Sequence, residues 1–584
     1  MSRTNGSRVW GVRSALLPLA TLLAPLAATI GCSASTSQGV DRSVGGSGVS
    51  SRFAMYPPRD LPNRRPLTRA ERSGFTETSR YSDVMAFLDT LRATSKDIHV
   101  TTMGRTSQGR EIPVVILSRP LVRTPAEAKR LNRPIVYVQG NIHGGEVEGK
   151  EALQSLLRDL ERDQYQNVVD SLVIVAAPIY NIDGNEAWGP QETNRSEQNG
   201  PAVVGQRPNA QGLDLNRDYI KAEAPETRAS LDLLREWDPD VLIDLHTTDG
   251  SYHGYALTWA PSLNPAAMFS GRFTGDTLLN TVRLELRQFR RIETFPYGNF
   301  VSPDSVERGW VTYDHRPRFG TNYYGLRGRI AILSEAYSHD PFRTRIASTY
   351  AFVSQTLSLL AANREEILEV GREADRRTTA FASTELSSPP VSIRARITRS
   401  PHMEDVLVQD VTRTDDTVRY QAGMPRGVRP GRIRTVRMPV YDRFDPTLEQ
   451  ALPYAWVIPA EQAALVEPLR RHGVFLEQVA DRQTVRAQRF AIDSLVQAPR
   501  PFQGHQEVRL LGRWEPADSL TLEPNMYVVR GAQPLGILAL YLLEPQSDDG
   551  LATWNFLDSS LRPGGRYPIA RVLDRIPGTL RRLR

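Results

Sequence analysis

Two residues of metal-binding type stand three positions apart where a short apolar run ends. Residues 134–138 predict a buried strand, and His143 and Glu146 follow it. A helical pattern over residues 148–160 comes next, and the spacing of three predicts that both side chains lie on one helical turn. An imidazole nitrogen and a carboxylate oxygen placed in this way can share one Zn²⁺. The two glycines between them would let a substrate approach the backbone.

Two further candidate residues follow apolar runs downstream. His246 comes after a predicted strand at residues 241–245, and Glu335 comes after another at residues 329–333. Sites in open α/β sheets form at the carboxyl ends of strands, so we expect these residues to converge with the first pair. Two imidazoles and one carboxylate are the ligands of a catalytic zinc, which activates water and polarises a carbonyl. Glu335 would then be the general base and later the general acid.

A third cluster is the segment Gly212-Leu-Asp-Leu-Asn-Arg-Asp218. The guanidinium of Arg217 beside the amide of Asn216 is well suited to a carboxylate ligand. The alternative is a surface turn with a salt-bridged arginine, and the segment alone does not decide between them.

The elements around these motifs predict an α/β fold. Apolar strands alternate with helical patterns, which favours a mixed, mostly parallel sheet with helices on both faces. A helix at residues 81–94 and a hairpin with its turn at Gln108-Gly109 precede the first motif. Predicted strands lie at 135–138, 172–179, 241–245 and 329–333, and predicted helices at 148–160, 225–236 and 343–360.

In this order the motifs resemble those of the zinc carboxypeptidase family, the carboxypeptidase A-like enzymes. The resemblance covers residues 75–372 and is carried by His143-x-x-Glu146, Asn181-Ile-Asp-Gly184, Asn216-Arg217, His246 and Glu335. It implies a zinc-dependent metallocarboxypeptidase that hydrolyses the C-terminal bond of peptides, with one Zn²⁺ per chain.

The resemblance also implies a role for each matching residue. His143, Glu146 and His246 would bind zinc, and Glu335 would be the catalytic base. The substrate's terminal carboxylate would be bound by Asn216 and Arg217.

Two roles have more than one candidate. The family has an oxyanion-stabilising arginine between the second and third motifs, and here Arg195 is the better candidate and Arg207 the other. For the tyrosine that caps the substrate we favour Tyr313, 22 residues before Glu335, while Tyr323 and Tyr324 lie closer to it in sequence.

The first motif also departs from the family pattern. Gly144-Gly145 replaces the Ala-Arg often found there, so one substrate-contacting arginine is missing. Together with Asp244-x-His246, it resembles the related aspartoacylase and succinylglutamate desuccinylase branch, which cleaves N-acyl amino acids. A deacylase or an amidase of cell-wall peptides is therefore one alternative, and a non-catalytic envelope binding protein is another. The complete set of ligands and base argues against the second.

The N-terminal sequence predicts export. Three arginines precede an apolar stretch at residues 15–30, which is too short and too proline-rich for a membrane span. Gly31-Cys32 follows and resembles the cleavage site of a bacterial lipoprotein, so we expect a lipid anchor at Cys32 in the cell envelope. An ordinary secretory signal is the alternative. Residues 33–51 are rich in Ser and Gly and predict a flexible tether.

A chain of 584 residues predicts several domains. We assign residues 1–31 to the signal peptide, 32–74 to the tether and an extended lead-in, 75–374 to the catalytic domain and 390–584 to a β-rich accessory domain. The formal charge is +6, with no basic run, and predicts no nucleic-acid partner. The segment at residues 542–556 has no assigned chemistry, and we expect Trp554 in a β core. The oligomeric state is not predicted.

Overall fold

A mixed eight-stranded sheet lies at the centre of the computed structural model, which describes residues 65–160, 166–381, 389–415 and 427–583. The predicted signal peptide, Cys32, the whole Ser/Gly-rich tether and the lead-in up to residue 64 lie outside the described residues. In chain order the strands are β1 (Ile98–Arg105), β2 (Glu111–Leu117), β3 (Ile135–Gly140), β4 (Val173–Ala177), β5 (Val241–Thr247), β6 (Leu257–Pro261), β7 (Thr294–Pro296) and β8 (Ile330–Ala336).

The spatial order of the sheet is β1-β2-β4-β3-β5-β8-β6-β7. Strands β4, β3, β5 and β8 run parallel to one another in this central part. The pairs β1–β2, β2–β4 and β8–β6 are antiparallel, and β6–β7 is parallel. Every residue of β3, β4, β5 and β8 is buried, as expected for strands covered on both faces. The predicted α/β fold with a mixed sheet is confirmed.

Helices pack on both faces of this sheet, so alternate strand residues enter two separate cores. Tyr137 and Leu242 belong to one core, and Val138 and Ile243 belong to the other. The longer helices of this region are Tyr81–Thr94, Pro125–Leu131, Glu148–Asp159, Pro225–Trp237, Gly320–Leu326, Phe342–Ala362 and Arg364–Phe381.

The end of the predicted lead-in is helical rather than extended. Residues Arg69–Arg72 form a short helix that begins with a capping box between Thr68 and Glu71. Glu71 also pairs with the buried Arg158, at 2.7 Å between Oε2 and Nη1. These contacts hold residues 68–72 against the helix Glu148–Asp159.

The C-terminal part is rich in strands, as predicted. A long hairpin of Val391–Arg413 and Val428–Gln450 joins two short strands in a four-stranded sheet. A seven-stranded sheet is built from Ala455–Ile458, Glu477–Val479, Gln483–Gln488, Asp518–Leu522, Tyr527–Arg530, Ala570–Val572 and Leu580–Arg582.

A separate two-stranded hairpin consists of Phe490–Gln497 and Val508–Trp514. Helices Val466–Arg471 and Gly536–Leu543 complete this region. Trp554 is fully buried, as predicted, but it lies on a turn segment in a core shared with the N-terminal part and not in a β core. All described residues belong to one compact unit, which shares a core between its N-terminal and C-terminal parts. The boundary at residue 390 stays a prediction. No helix among the described residues is long and apolar enough to cross a membrane.

Candidate metal and catalytic site

The two imidazoles and the carboxylate of the predicted metal site lie together. His143 Nδ1 is 2.9 Å from Glu146 Oε1, and His246 Nδ1 is 3.0 Å from Glu146 Oε2. One possible ligand atom from each residue lies within 4.8 Å of the other two, and all three residues are buried. Two imidazole nitrogens and a carboxylate oxygen are the donors of a catalytic zinc, so these residues fit that metal.

His143 and Glu146 stand on a tight turn, and the expectation that they share a helical turn is wrong. The helix Glu148–Asp159 begins only after them. A hydrogen bond of 3.0 Å from Glu146 N to His143 O nevertheless brings the two residues as close together as a helical turn would. The Asn141 amide donates to the carbonyl oxygens of His143, Gly144 and Glu146. Asn141 has φ +65°, a left-handed conformation that Asn tolerates better than most residues.

The two glycines of this turn have a different role from the expected one. A Cβ atom on Gly144 would lie 2.3 Å from the carbonyl carbon of Gly184. A Cβ atom on Gly145 would lie 2.7 Å from Arg195 Cγ and 2.8 Å from Gly205 O. The missing Cβ atoms therefore make room for the protein's own backbone and for Arg195.

The structure places Glu335 beside the three candidate metal ligands. These residues, His143, Glu146 and His246, are called the metal-binding group below. Glu335 on β8 is the register partner of His246 on β5. It is 7% exposed, and its Oε2 has no hydrogen-bond partner among the described residues. Burial raises the pKa of the Glu335 carboxyl well above its ordinary value, and Glu146 adds to this while His246 opposes it. A buried carboxylate with one unused oxygen suits proton transfer.

Two aspartates without a predicted role contact the far nitrogens of the metal-binding histidines. Asp214 Oδ1 is 3.0 Å from His143 Nε2, and Asp244 Oδ2 is 2.9 Å from His246 Nε2. Carboxylates in this position orient the rings so that Nδ1 faces the metal. The sequence signal for Asp244 is its place two residues before His246 on one strand, which puts both side chains on the same face.

Asn216 and Arg217 lie on a short 3₁₀ turn, Leu215–Arg217. Asn216 Oδ1 accepts from Gly320 N at 2.8 Å, and its Nδ2 lies 3.5 Å from His246 Nε2. The Arg217 guanidinium carbon is 3.8 Å from the centre of the Phe319 ring. The predicted carboxylate-binding pair therefore borders the metal-binding group, which a remote surface turn would not do.

Both candidate oxyanion arginines approach the same carboxylate oxygen. Arg195 Nη1 lies 3.2 Å from Glu146 Oε1, and Arg207 Nη1 lies 3.4 Å from it. Arg195 is buried and also donates to the carbonyl oxygens of Thr247 and Thr248. The Arg207 side chain is 34% exposed and pairs with Asp214.

The three candidate tyrosines occupy different surroundings. The Tyr323 hydroxyl oxygen lies 2.9 Å from His472 Nδ1, and the Tyr324 hydroxyl donates to Pro239 O at 2.8 Å. The Tyr313 ring instead packs against Tyr297, with ring centres 5.8 Å apart. Burial raises the pKa of Tyr313, and the nearby charge of Glu335 adds to the effect. Of the three, Tyr313 is thus the one whose pKa the charge of Glu335 raises.

Tyr297 and Asp249 also border the site and were not predicted. The Tyr297 hydroxyl donates to Asp249 Oδ2 at 3.1 Å, and burial with the charge of Glu335 raises its pKa well above the ordinary value. Asp249 lies three residues after His246, and this is the one signal in the sequence that could have indicated it.

Comparison with known proteins finds similarity to carboxypeptidases. Residues 84–266 match the zinc carboxypeptidase family. Carboxypeptidase 2 of Trichophyton rubrum is 23% identical over 491 residues, which cover 80% of this chain and 81% of that protein. The human carboxypeptidase N catalytic chain is 31% identical over 148 residues, covering 24% of this chain and 30% of that one.

Solved structures are similar over about half of the chain. A metallo-carboxypeptidase from Pseudomonas aeruginosa, solved with (2-guanidinoethylmercapto)succinic acid, aligns with a TM-score of 0.37 and 18% identity. The alignment covers 50% of this chain and 70% of that one.

Proposed function

From the premise that this chain is a hydrolase of the zinc carboxypeptidase family, we propose that it removes the C-terminal residue of peptides. One observation carries the proposal: the His143, Glu146 and His246 group lies beside a buried carboxylate, Glu335, on the neighbouring strand. A non-catalytic binding protein has no need of that carboxylate.

The metal-binding group would hold one Zn²⁺ through His143 Nδ1, His246 Nδ1 and the carboxylate of Glu146. When bound, zinc supplies Lewis acidity to the water and to the scissile carbonyl. Asp214 and Asp244 keep the two imidazoles in the orientation that this requires.

The chain's own residues supply the remaining functions. Arg217 and Asn216 bind the substrate's terminal carboxylate and so place the last peptide bond at the site. Glu335 takes a proton from the attacking water and later delivers it to the leaving amine. Arg195, or in its place Arg207, stabilises the negative charge on the carbonyl oxygen. Tyr313 would cover the bound substrate.

The test compares peptides that have free and amidated C-termini. Wild-type enzyme should cleave the free peptides much faster, and Arg217→Ala should mainly raise KM for them, because the lost contact is made in the ground state as well. Arg287→Ala is the control, since this exposed arginine pairs only with Glu293 among the described residues. Equal cleavage of free and amidated peptides by the wild type would contradict the exopeptidase assignment.

A deacylase of N-acyl amino acids, or an amidase of cell-wall peptides, is the second candidate. The sequences His143-Gly-Gly-Glu146 and Asp244-x-His246 motivate it. N-acyl amino acids and peptides with varied C-termini, tested on one zinc-loaded preparation, distinguish the two activities. Faster turnover of the acyl amino acids would favour the deacylase.

We also propose that the enzyme is exported and anchored in the cell envelope by lipid on Cys32. The arginines and apolar run before Gly31-Cys32, and the Ser/Gly-rich segment after it, support this. One acyl chain binds a membrane only marginally, so a firm anchor needs more than one. Mass spectrometry of the mature N-terminus tests it, and an unmodified start at another residue would indicate a secreted enzyme.

A further inference from the structure

We propose that Gln503, at the tip of a turn in the C-terminal region, is a positioning residue for the catalytic site. It acts through Asp214, and the proposal rests on the carboxypeptidase function for its kinetic part. The C-terminal region thereby helps to order the turn Leu215–Arg217, which carries the proposed carboxylate-binding residues, instead of only packing beside the catalytic region.

The contact between the two regions is direct. Gln503 Oε1 accepts from the backbone N–H of Asp214 at 2.9 Å. Asp214 in turn accepts from Asn216 N through Oδ1, the same oxygen that contacts His143 Nε2. Its other oxygen accepts from Arg207 Nε at 2.9 Å. Gln503 therefore holds a residue, Asp214, that contacts a candidate metal ligand, a candidate oxyanion arginine and the turn Leu215–Arg217.

The turn that presents Gln503 is well defined. Phe502 and His505 exchange backbone hydrogen bonds of 2.8 and 3.0 Å, so Gln503 and Gly504 are the two central residues. Their φ values are +48° and +80°, as in a type I′ turn. Glycine adopts this conformation freely, but for glutamine it is strained, and such strain persists only where the surroundings impose it.

A second contact joins the turn that carries Gln503 to the chain just after the turn Leu215–Arg217. His505 Nε2 lies 2.9 Å from Glu223 Oε1, and His505 Nδ1 lies 3.1 Å from Asn555 Oδ1. The His505 ring also meets the Trp554 ring edge to face, with centres 5.6 Å apart. Lys221 Nζ lies 4.6 Å above the Trp554 ring. Two points of attachment fix both the position and the angle of the turn.

Arg318 makes a further set of contacts with the residues around this turn. Its Nε donates to Asp549 Oδ1 at 2.9 Å and its Nη1 donates to Glu507 Oε1 at 2.7 Å. The guanidinium carbon lies 4.4 Å from the Trp554 ring centre and 5.4 Å from that of Phe502. The segment at residues 542–556, which had no assigned chemistry, thus supports the turn that carries Gln503.

The expected consequence concerns substrate binding. Without the acceptor at residue 503, the Asp214 N–H loses its partner, and the turn with Asn216 and Arg217 becomes less ordered. A positioning effect of this kind should raise KM for peptides with free C-termini by roughly 3- to 10-fold, which is what loss of about one hydrogen bond corresponds to. Amidated peptides, which lack the terminal carboxylate, should be affected much less.

The experiment uses the full chain and three variants. Gln503→Ala removes the acceptor, Gln503→Glu keeps an accepting oxygen at the same distance, and Gln506→Ala is the control. The Gln506 side chain donates to Ala498 O within the same loop and has no contact with Asp214 among the described residues. KM and kcat for free and amidated peptides, zinc content, and hydrogen exchange of the Asp214 amide are measured for each.

We expect Gln503→Ala alone to show faster exchange at Asp214 and a higher KM for free peptides, at unchanged zinc content, with recovery in Gln503→Glu. Unchanged exchange and KM in Gln503→Ala, or equal effects in Gln506→Ala, would overturn the proposal. If the wild type cleaves no peptide, the carboxypeptidase function fails, but the exchange experiment still decides whether Gln503 orders the Asp214 turn.

Discussion

Glu335 and His246 are direct register partners on two adjacent parallel strands of the central sheet. The backbone of two buried strands therefore fixes the carboxylate that we propose as the general base next to a proposed metal ligand, with no loop between them. Such a placement holds catalytic groups more rigidly than loops do.

Glu335→Gln should retain zinc and substrate binding and lose turnover. Glutamine has nearly the same size but cannot accept the proton of the attacking water. General base catalysis contributes roughly 10²–10⁴-fold, and the same residue serves the leaving amine, so kcat should fall by about 10⁴. The loss should be confined to kcat, because the missing interaction belongs to the transition state. Full activity with intact zinc would falsify this role.

His246→Ala should bind one zinc fewer per chain than the wild type. The variant removes one of the three buried candidate ligands, and a catalytic zinc needs three ligands from the protein. Elemental analysis after dialysis measures the difference. His402→Ala is the control, since His402 is exposed in the long hairpin. Equal zinc in His246→Ala and wild type would place the metal elsewhere.

Kinetics can distinguish the roles of the two arginines near Glu146. Loss of one oxyanion donor typically lowers kcat by about 10²–10³. We expect this from Arg195→Met, and a smaller loss from Arg207→Met, whose side chain is partly exposed and paired with Asp214. The reverse order of kcat values would assign the oxyanion role to Arg207. Zinc content must be measured in both variants, because both residues contact Glu146.

Gly144→Ala should destabilise the protein more than Gly145→Ala. The added methyl group at residue 144 meets three backbone atoms at 2.3–2.6 Å, whereas at residue 145 it meets one backbone atom, Gly205 O at 2.8 Å, and the Arg195 side chain at 2.7 Å. Overpacking costs about 1–3 kcal/mol, and more where the backbone cannot move. Gly371→Ala is the control, because its nearest neighbour is 3.6 Å away. Denaturant unfolding measures the order, and similar losses in the first two variants would contradict it.

Stability should fall in acid because of His472. This buried histidine lies between the Tyr323 hydroxyl and Ile220 O, and burial lowers its pKa from 6.5 to about 4. Between these values the unfolded chain binds a proton that the folded chain does not. The folded state therefore loses up to about 3 kcal/mol as pH falls from 6.5 to 4.

The measurement is the melting temperature of wild type and His472→Gln across this pH range. Glutamine at residue 472 does not titrate, so the difference in melting temperature between the variant and the wild type should shrink as the pH falls. A constant difference from pH 7 to pH 4 would show that His472 does not titrate in this way.

The sequence by itself determined the class of fold and indicated the three candidate metal ligands that the structure brings together. His143, Glu146 and His246 were recognisable because ligand types follow apolar strands, and strand ends meet at one edge of an α/β sheet. The strands β3, β5 and β8 were recognisable because strands buried on both faces are continuously apolar.

Only the tertiary structure decided which residues surround the metal-binding group. Asp214 and Gln503 are 289 positions apart, and no local pattern relates a turn in the C-terminal region to a turn in the catalytic region. The role of Gly145 likewise depends on where the Arg195 side chain passes. Periodicity and spacing report on neighbours along the chain, whereas these contacts arise from the packing of segments that are remote in sequence.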